Sequence, residues 1–170
     1  MALAVSACAQ NKQSNKDKVP DDMEVTNNTT LEKATFGGGC FWCTEAQFQY
    51  LDGVVKVESG YSGGTKATAN YNMVSNGSTS HAEAVEIKYD PKKISYGKIL
   101  QIFFSVVHDP TQLNRQGPDV GPQYRSVILY HNDSQRETAT AVLNALEGAG
   151  IFSGRIVTTV EPAQEFYPAE

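Results

Sequence analysis

Two cysteines three positions apart, Cys40 and Cys43, stand behind three glycines in the run Gly37-Gly38-Gly39-Cys40-Phe41-Trp42-Cys43. Thr35-Phe36 before the run reads as the end of a strand, and Thr44-Glu45-Ala46-Gln47-Phe48 after it continues as helix. Cys40 is therefore expected near a helix N-terminus, where unpaired backbone N–H groups and the positive end of the dipole favour a thiolate. The glycines lack a Cβ, so a ligand could approach the backbone closely beside that sulfur. Phe41 and Trp42 add two aromatic surfaces next to it. A nucleophilic sulfur against an apolar wall suits chemistry on a small apolar group.

The same residues carry a resemblance. Gly39-Cys40-Phe41-Trp42 followed by Glu45 resembles the signature of the A-type peptide methionine sulfoxide reductases. Three later blocks agree with that family in order and spacing: Gly60-Tyr61-Ser62-Gly63-Gly64, His81-Ala82-Glu83-Ala84-Val85, and Gly117-Pro118-Asp119 leading to Gln123-Tyr124-Arg125-Ser126. Four blocks are far more specific than a lone CxxC, and the resemblance runs from about Leu31 to the end of the sequence. The first thirty residues lie outside it.

The resemblance implies a set of roles. Cys40 would be the nucleophile, which agrees with its position at the helix entrance. A sulfoxide oxygen leaves only when protonated, and the family's general acid falls on Glu83. Alanines on either side of Glu83 would raise its pKa, whereas the plain alternative is an exposed strand carboxylate. Tyr71 and Tyr124 match two phenols that hydrogen-bond the substrate oxygen; otherwise they are ordinary packing aromatics. Asp119 matches a carboxylate near the nucleophile, or is simply a turn residue after Pro118. Phe41 and Trp42 match the pocket for the terminal methyl of methionine sulfoxide. The implied cycle leaves Cys40 as a sulfenic acid, closes a Cys40–Cys43 disulfide, and regenerates the thiols with thioredoxin or a similar dithiol. The implied substrate is the S epimer, free or in proteins, and no metal or organic cofactor is implied. Family members often keep recycling cysteines in a Gly-rich C-terminal tail; Cys43 takes that place here.

A different class competes for the CxxC. Thioredoxin-like thiol–disulfide exchange proteins also place Cys-x-x-Cys at a helix N-terminus, but that reading gives Glu83, Tyr71 and Tyr124 nothing to do. Zinc is a weaker alternative, because His81, His108 and His131 come with neither a second CxxC nor an HxxxH.

Composition sets the frame for these elements. At 170 residues the chain fits one domain with a sizeable core, and a formal net charge of -5 argues against a nucleic-acid surface. No apolar run approaches the length of a membrane span. The three cysteines cannot make a disulfide framework, and a Cys40–Cys43 bridge closes too short a loop to stabilise much by chain entropy. Leu3-Ala4-Val5-Ser6-Ala7-Cys8 resembles a bacterial lipobox without its charged n-region, so residues 1–8 are expected to be the end of a lipoprotein signal. Cys8 would then be acylated and the protein tethered in the cell envelope; otherwise it is cytoplasmic. Residues 9–30 are polar and expected to be a flexible linker, with a monomeric reductase domain over 31–170. The sequence end leaves room for a second reductase domain beyond it.

Within 31–170, strands are expected at Lys33–Phe36, Val54–Tyr61, Ala82–Tyr89, Arg125–His131 and Ile156–Val160. Helices are expected from Cys40 to Leu51, after Ser95 to about Val107 with Ile99, Leu100, Ile102, Phe103 and Val106 as its apolar face, and after Asp133 to about Glu147. Residues 62–80 and 109–123 read as long loops. The order strand–helix–strand–strand–helix–strand predicts an α/β (α+β) ferredoxin-like two-layer sandwich, a split βαβ with a C-terminal elaboration.

Overall fold

The computed structural model describes residues 30–170. The expected lipobox ending at Cys8 and almost all of the expected linker lie outside the described residues.

The expected elements form nearly as read. Strands β1 (Glu32–Gly37), β2 (Val54–Ser62), β3 (Ala82–Tyr89) and β6 (Val127–Tyr130) make the centre of a six-stranded sheet. Between them come helix α1 (Phe41–Phe48), short α2 (Tyr71–Ser75), α3 (Tyr96–Ile102) and a two-stranded ribbon, β4 (Arg115–Gln116) with β5 (Asp119–Val120). Helix α4 (Asp133–Ala149) and strands β7 (Thr159–Pro162) and β8 (Phe166–Pro168) complete the order. The sheet reads β7-β6-β1-β3-β2-β8. Its central four strands are antiparallel at every contact, so β1 and β2 run parallel with β3 between them. That is the split βαβ arrangement of the expected ferredoxin-like sandwich.

The C-terminal elaboration lengthens both edges. After α4 the chain returns as β7, parallel to β6, and then as β8, antiparallel to β2. Strand β8 lies in a Pro-containing tail beyond the last strand expected from sequence; its hydrogen bonds come from a partner more than a hundred residues away. The two expected loops are likewise partly ordered. Residues 62–80 hold a single 3-10 turn at Lys66–Thr68 and helix α2, and 109–123 hold the β4–β5 ribbon and a 3-10 turn at Pro122–Tyr124. Elements this short carry no periodic signal and are held by tertiary contacts.

Alternation along β3 explains how the sheet is buried on two sides. Val85, Ile87 and Tyr89 join the core under the helices, whereas Ala82 packs with Val127, Leu129 and Ala163 in a second cluster. The main core centres on Phe36, fully buried, whose ring lies 4.8 Å from Phe103, 6.0 Å from Phe48 and 6.2 Å from Tyr96. Phe36→Ala should therefore cost about 3–5 kcal/mol, read as a lower urea midpoint at unchanged slope.

One expected helical face shifts. Ser95 caps α3 as expected, its Oγ accepting from Lys98 N–H at 3.2 Å. The helix then widens into a π turn over Phe103–Val107. Each π turn spans more residues than an α turn, so the apolar stripe rotates. Phe103 and Phe104 are buried, while Val106, expected on the core face, is 60% exposed. The helix after Asn132 is capped by that residue's side chain, one position before the expected Asp133, and ends at Gly150 in the left-handed region.

Candidate active site

Strand β1 delivers the chain to α1 through the three glycines. Cys40 is the N-cap of α1, and its carbonyl accepts from Cys43 N–H and Thr44 N–H, each at 3.1 Å. The glycines serve the protein's own packing rather than a ligand. A Cβ on Gly39, whose φ is +92°, would sit 2.7 Å from Gln116 Cβ, and one on Gly38 would sit 3.0 Å from the Phe103 ring. Gln116 is itself pinned, accepting from Asp109 N–H at 3.3 Å and donating to Asp109 O at 3.2 Å. The Cys40 backbone is thus fixed from below by the core and from above by the 109–123 segment.

The sulfur environment differs from the expectation of a thiolate stabilised by the helix. Burial pushes the Cys40 thiol above its ordinary range, and Cys43 and Glu83 push it the same way. N–H groups of Cys43 and Trp42 oppose that shift without overcoming it. Desolvation of an anion outweighs one short helix terminus. Cys43, one turn along, is exposed.

Glu83 reaches the same place from the sheet. It is 2% exposed, and its Oε2 accepts from Phe41 N–H, the first amide of α1, at 3.1 Å. Burial raises its pKa, the Phe41 N–H lowers it, and the nearby Asp119 charge raises it again. The carboxyl is therefore pushed above the usual carboxylate range, as the flanking alanines led us to expect.

The remaining candidates converge unequally. Asp119 arrives on β5 close enough to bias both Glu83 and Tyr124. Tyr124, half-buried on the 3-10 turn, has its pKa raised by burial and then by Glu83, Asp119 and Tyr71. Tyr71 opens α2, is 41% exposed, and stacks on Trp42 at 5.8 Å with the ring planes 24° apart. Trp42 is 60% exposed. Phe41 is a core residue, only 1% exposed, set 5.3 Å behind Trp42 and 5.7 Å from Tyr61. The open aromatic wall is thus Trp42 with Tyr71, and Phe41 backs it.

Two further residues in the neighbourhood, Tyr61 and His108, carry no catalytic role in the sequence reading. Tyr61, opposite Glu83 in the β2–β3 register, is fully buried and donates its hydroxyl to Glu170 Oε2 at 3.2 Å. Its place in the Gly60–Gly64 block, directly beside the acid-bearing strand, was the available signal. His108 lies beneath Gly38, but its Nδ1 faces Phe103 O at 3.1 Å and its Nε2 meets Ser126 Oγ at 2.6 Å. Burial pushes its pKa down to about 4, so it is a neutral support and no base for Cys40.

A half-buried thiol, a protonatable carboxyl bonded to the next amide and an exposed aromatic ring on the same helix fit a reduction at sulfur. The family model for peptide methionine sulfoxide reductase matches residues 32–170. The chain belongs to the peptide methionine sulfoxide reductase family. Among its relatives is a peptide methionine sulfoxide reductase MsrA of Natronomonas pharaonis, 55% identical over 137 residues, 81% of this chain and 76% of the relative. Another, from Synechocystis, is 55% identical over 157 residues, covering 89% and 73%. The crystal structure of reduced Mxr1 from Saccharomyces cerevisiae superimposes with a TM-score of 0.76 at 34% identity, over 82% of this chain and 80% of that one. Mxr1 in complex with Trx2 is also similar, with a TM-score of 0.59 and 25% identity over 82% and 81%. The protein is an A-type reductase of methionine sulfoxide, which replaces the thioredoxin-like alternative.

Proposed function

We propose that Cys40 is the nucleophile, Glu83 the acid and Cys43 the resolving thiol in reduction of the S epimer of methionine sulfoxide. The supporting observation is the Phe41 N–H bond to Glu83, which brings the carboxyl to the amide next to Cys40. Oε2 is held as an acceptor, leaving Oε1 to carry the proton toward the substrate oxygen. Substrate methyl rests on Trp42 and Tyr71, a contact worth roughly 1 kcal/mol. Tyr124 and Tyr71 hydroxyls donate to the sulfoxide oxygen, and burial, reinforced by the Asp119 charge, favours the protonated form of Glu83.

In the first step the Cys40 thiolate attacks the sulfoxide sulfur as Glu83 protonates the oxygen. Methionine is released and the oxygen ends on Cys40 as a sulfenic acid. Protonated Glu83 no longer opposes the thiolate, so the same proton that activates the oxygen favours the nucleophile. Cys43 then attacks the sulfenic sulfur, water leaves, and a Cys40–Cys43 disulfide forms. A thioredoxin-type dithiol reduces it; the relative Mxr1 forms a complex with Trx2. Exposure of Cys43 suits attack by such a partner.

Cys43→Ser tests this sequence of steps. One methionine per enzyme is expected at the normal rate, with a dimedone-trappable sulfenic acid on Cys40. Turnover with thioredoxin should collapse, whereas dithiothreitol supports a partial rate. Normal turnover with thioredoxin would place the resolving thiol outside this pair. The pattern Leu3-Ala4-Val5-Ser6-Ala7-Cys8 also supports anchoring in a bacterial envelope through a lipid on Cys8. Labelled palmitate retained by wild type and lost in Cys8→Ala checks that.

A further inference from the structure

The side chain of Glu170 hydrogen-bonds to two parts of the site, the opening of α2 and the buried end of β2. Its Oε1 accepts from Tyr71 N–H at 2.9 Å, and its Oε2 accepts from the Tyr61 hydroxyl at 3.2 Å. Tyr71 N–H belongs to the opening turn of α2, where a helix leaves amides without internal partners. The Asn70 side chain already serves Met73 N–H, so Tyr71 depends on Glu170. Tyr61 is fully buried, stands opposite Glu83 and packs 5.7 Å from Phe41. Strand β8 brings Glu170 into place, with Ala169 N–H donating to Ser59 O at 2.9 Å.

We propose that Glu170 is a positioning residue for substrate binding: it fastens the start of α2 to the sheet and so holds the Tyr71 ring over Trp42. This rests on the reading that Trp42 and Tyr71 form the wall for the sulfoxide side chain. Glu170 touches neither Cys40 nor Glu83, so it acts on where the substrate lies rather than on sulfur attack. Its own exposure means the hold is screened by solvent, which limits the effect.

Steady-state and single-turnover kinetics of Glu170→Ala test it, read with Trp42 fluorescence, since Trp42 is the one tryptophan in the sequence. KM for methionine sulfoxide should rise about fivefold, while the single-turnover rate at saturating substrate falls by no more than about twofold, because Tyr124 still donates to the sulfoxide oxygen. Trp42 emission should move to the red as Tyr71 leaves its face. Tyr61→Phe, which deletes only the buried hydroxyl anchor, should give a smaller change in the same direction. Unchanged KM and emission in Glu170→Ala, with KM raised in Tyr71→Ala, would overturn the role of Glu170 and leave the wall intact. Unchanged KM in Tyr71→Ala would overturn the wall and the role of Glu170 with it. A fall in the saturated rate equal to the rise in KM would mark Glu170 as a general fold contact and also overturn the proposal.

Discussion

Cys40→Ser is expected to produce no methionine, even in a single turnover with excess enzyme. A hydroxyl has almost no anionic fraction near neutral pH, and its oxygen is a far poorer nucleophile toward sulfur. Cys40 itself is a reluctant thiolate, because burial and the Glu83 carboxylate both hold its proton on. Serine would begin from a worse position in the same desolvated place, and a loss of roughly 10⁴-fold corresponds to about 5 kcal/mol. The fold should survive, since the Cys40 carbonyl, not its side chain, accepts the first bonds of α1. Quenched-flow assay of methionine from the S sulfoxide, with the R sulfoxide as control, reads the outcome. A burst of one methionine per enzyme would transfer the nucleophile to Cys43.

Glu83→Gln is expected to lose roughly 10²–10⁴ in reduction rate, about 3–5 kcal/mol of transition-state stabilisation. The amide still accepts from Phe41 N–H but has no proton to give the leaving oxygen. In wild type the rate should fall as pH rises through the elevated Glu83 pKa, where the acid form is lost. The variant should lack that limb and keep only the rise that reports the Cys40 thiolate. Stability should move the other way. Because burial raises the folded-state pKa of Glu83, its contribution is present below the unfolded pKa and is lost as pH rises through the folded one. At neutral pH and above, Glu83→Gln should therefore unfold at the same temperature as wild type or higher. Wild-type kinetics in the variant would reduce Glu83 to a capping residue of α1.

The element pattern was largely legible. Strict alternation over Ala82–Tyr89 and the turn residues at its ends define β3 to the residue, and Ser95 marks the start of α3. Periodicity failed where backbone geometry changed: a π turn inside an apolar stretch exposed Val106 and buried Phe104. Helix α2, the β4–β5 ribbon and β8 left no signal because each is too short to pattern and depends on distant partners.

For the site, residue types and local order named the parts. Cys40 at a helix entrance, Cys43 one turn on, and Glu83 between alanines are local features of adjacent residues, so one dimension suffices to find them. Their energetics were not local. Whether Cys40 is a thiolate depends on the burial supplied by elements far along the chain and on a carboxylate that β3 brings in from position 83. The glycines look like room for a ligand until Gln116 and Phe103 are seen filling it. Phe41 and Trp42 are neighbours in sequence, yet the helix turns one ring into the core and the other to solvent. Glu170 reaches Tyr61 and Tyr71 only because β8 pairs with β2. Sequence determines which groups are present and their local backbone; desolvation and charge act through space, so only the tertiary fold decides their protonation and which of them face the substrate.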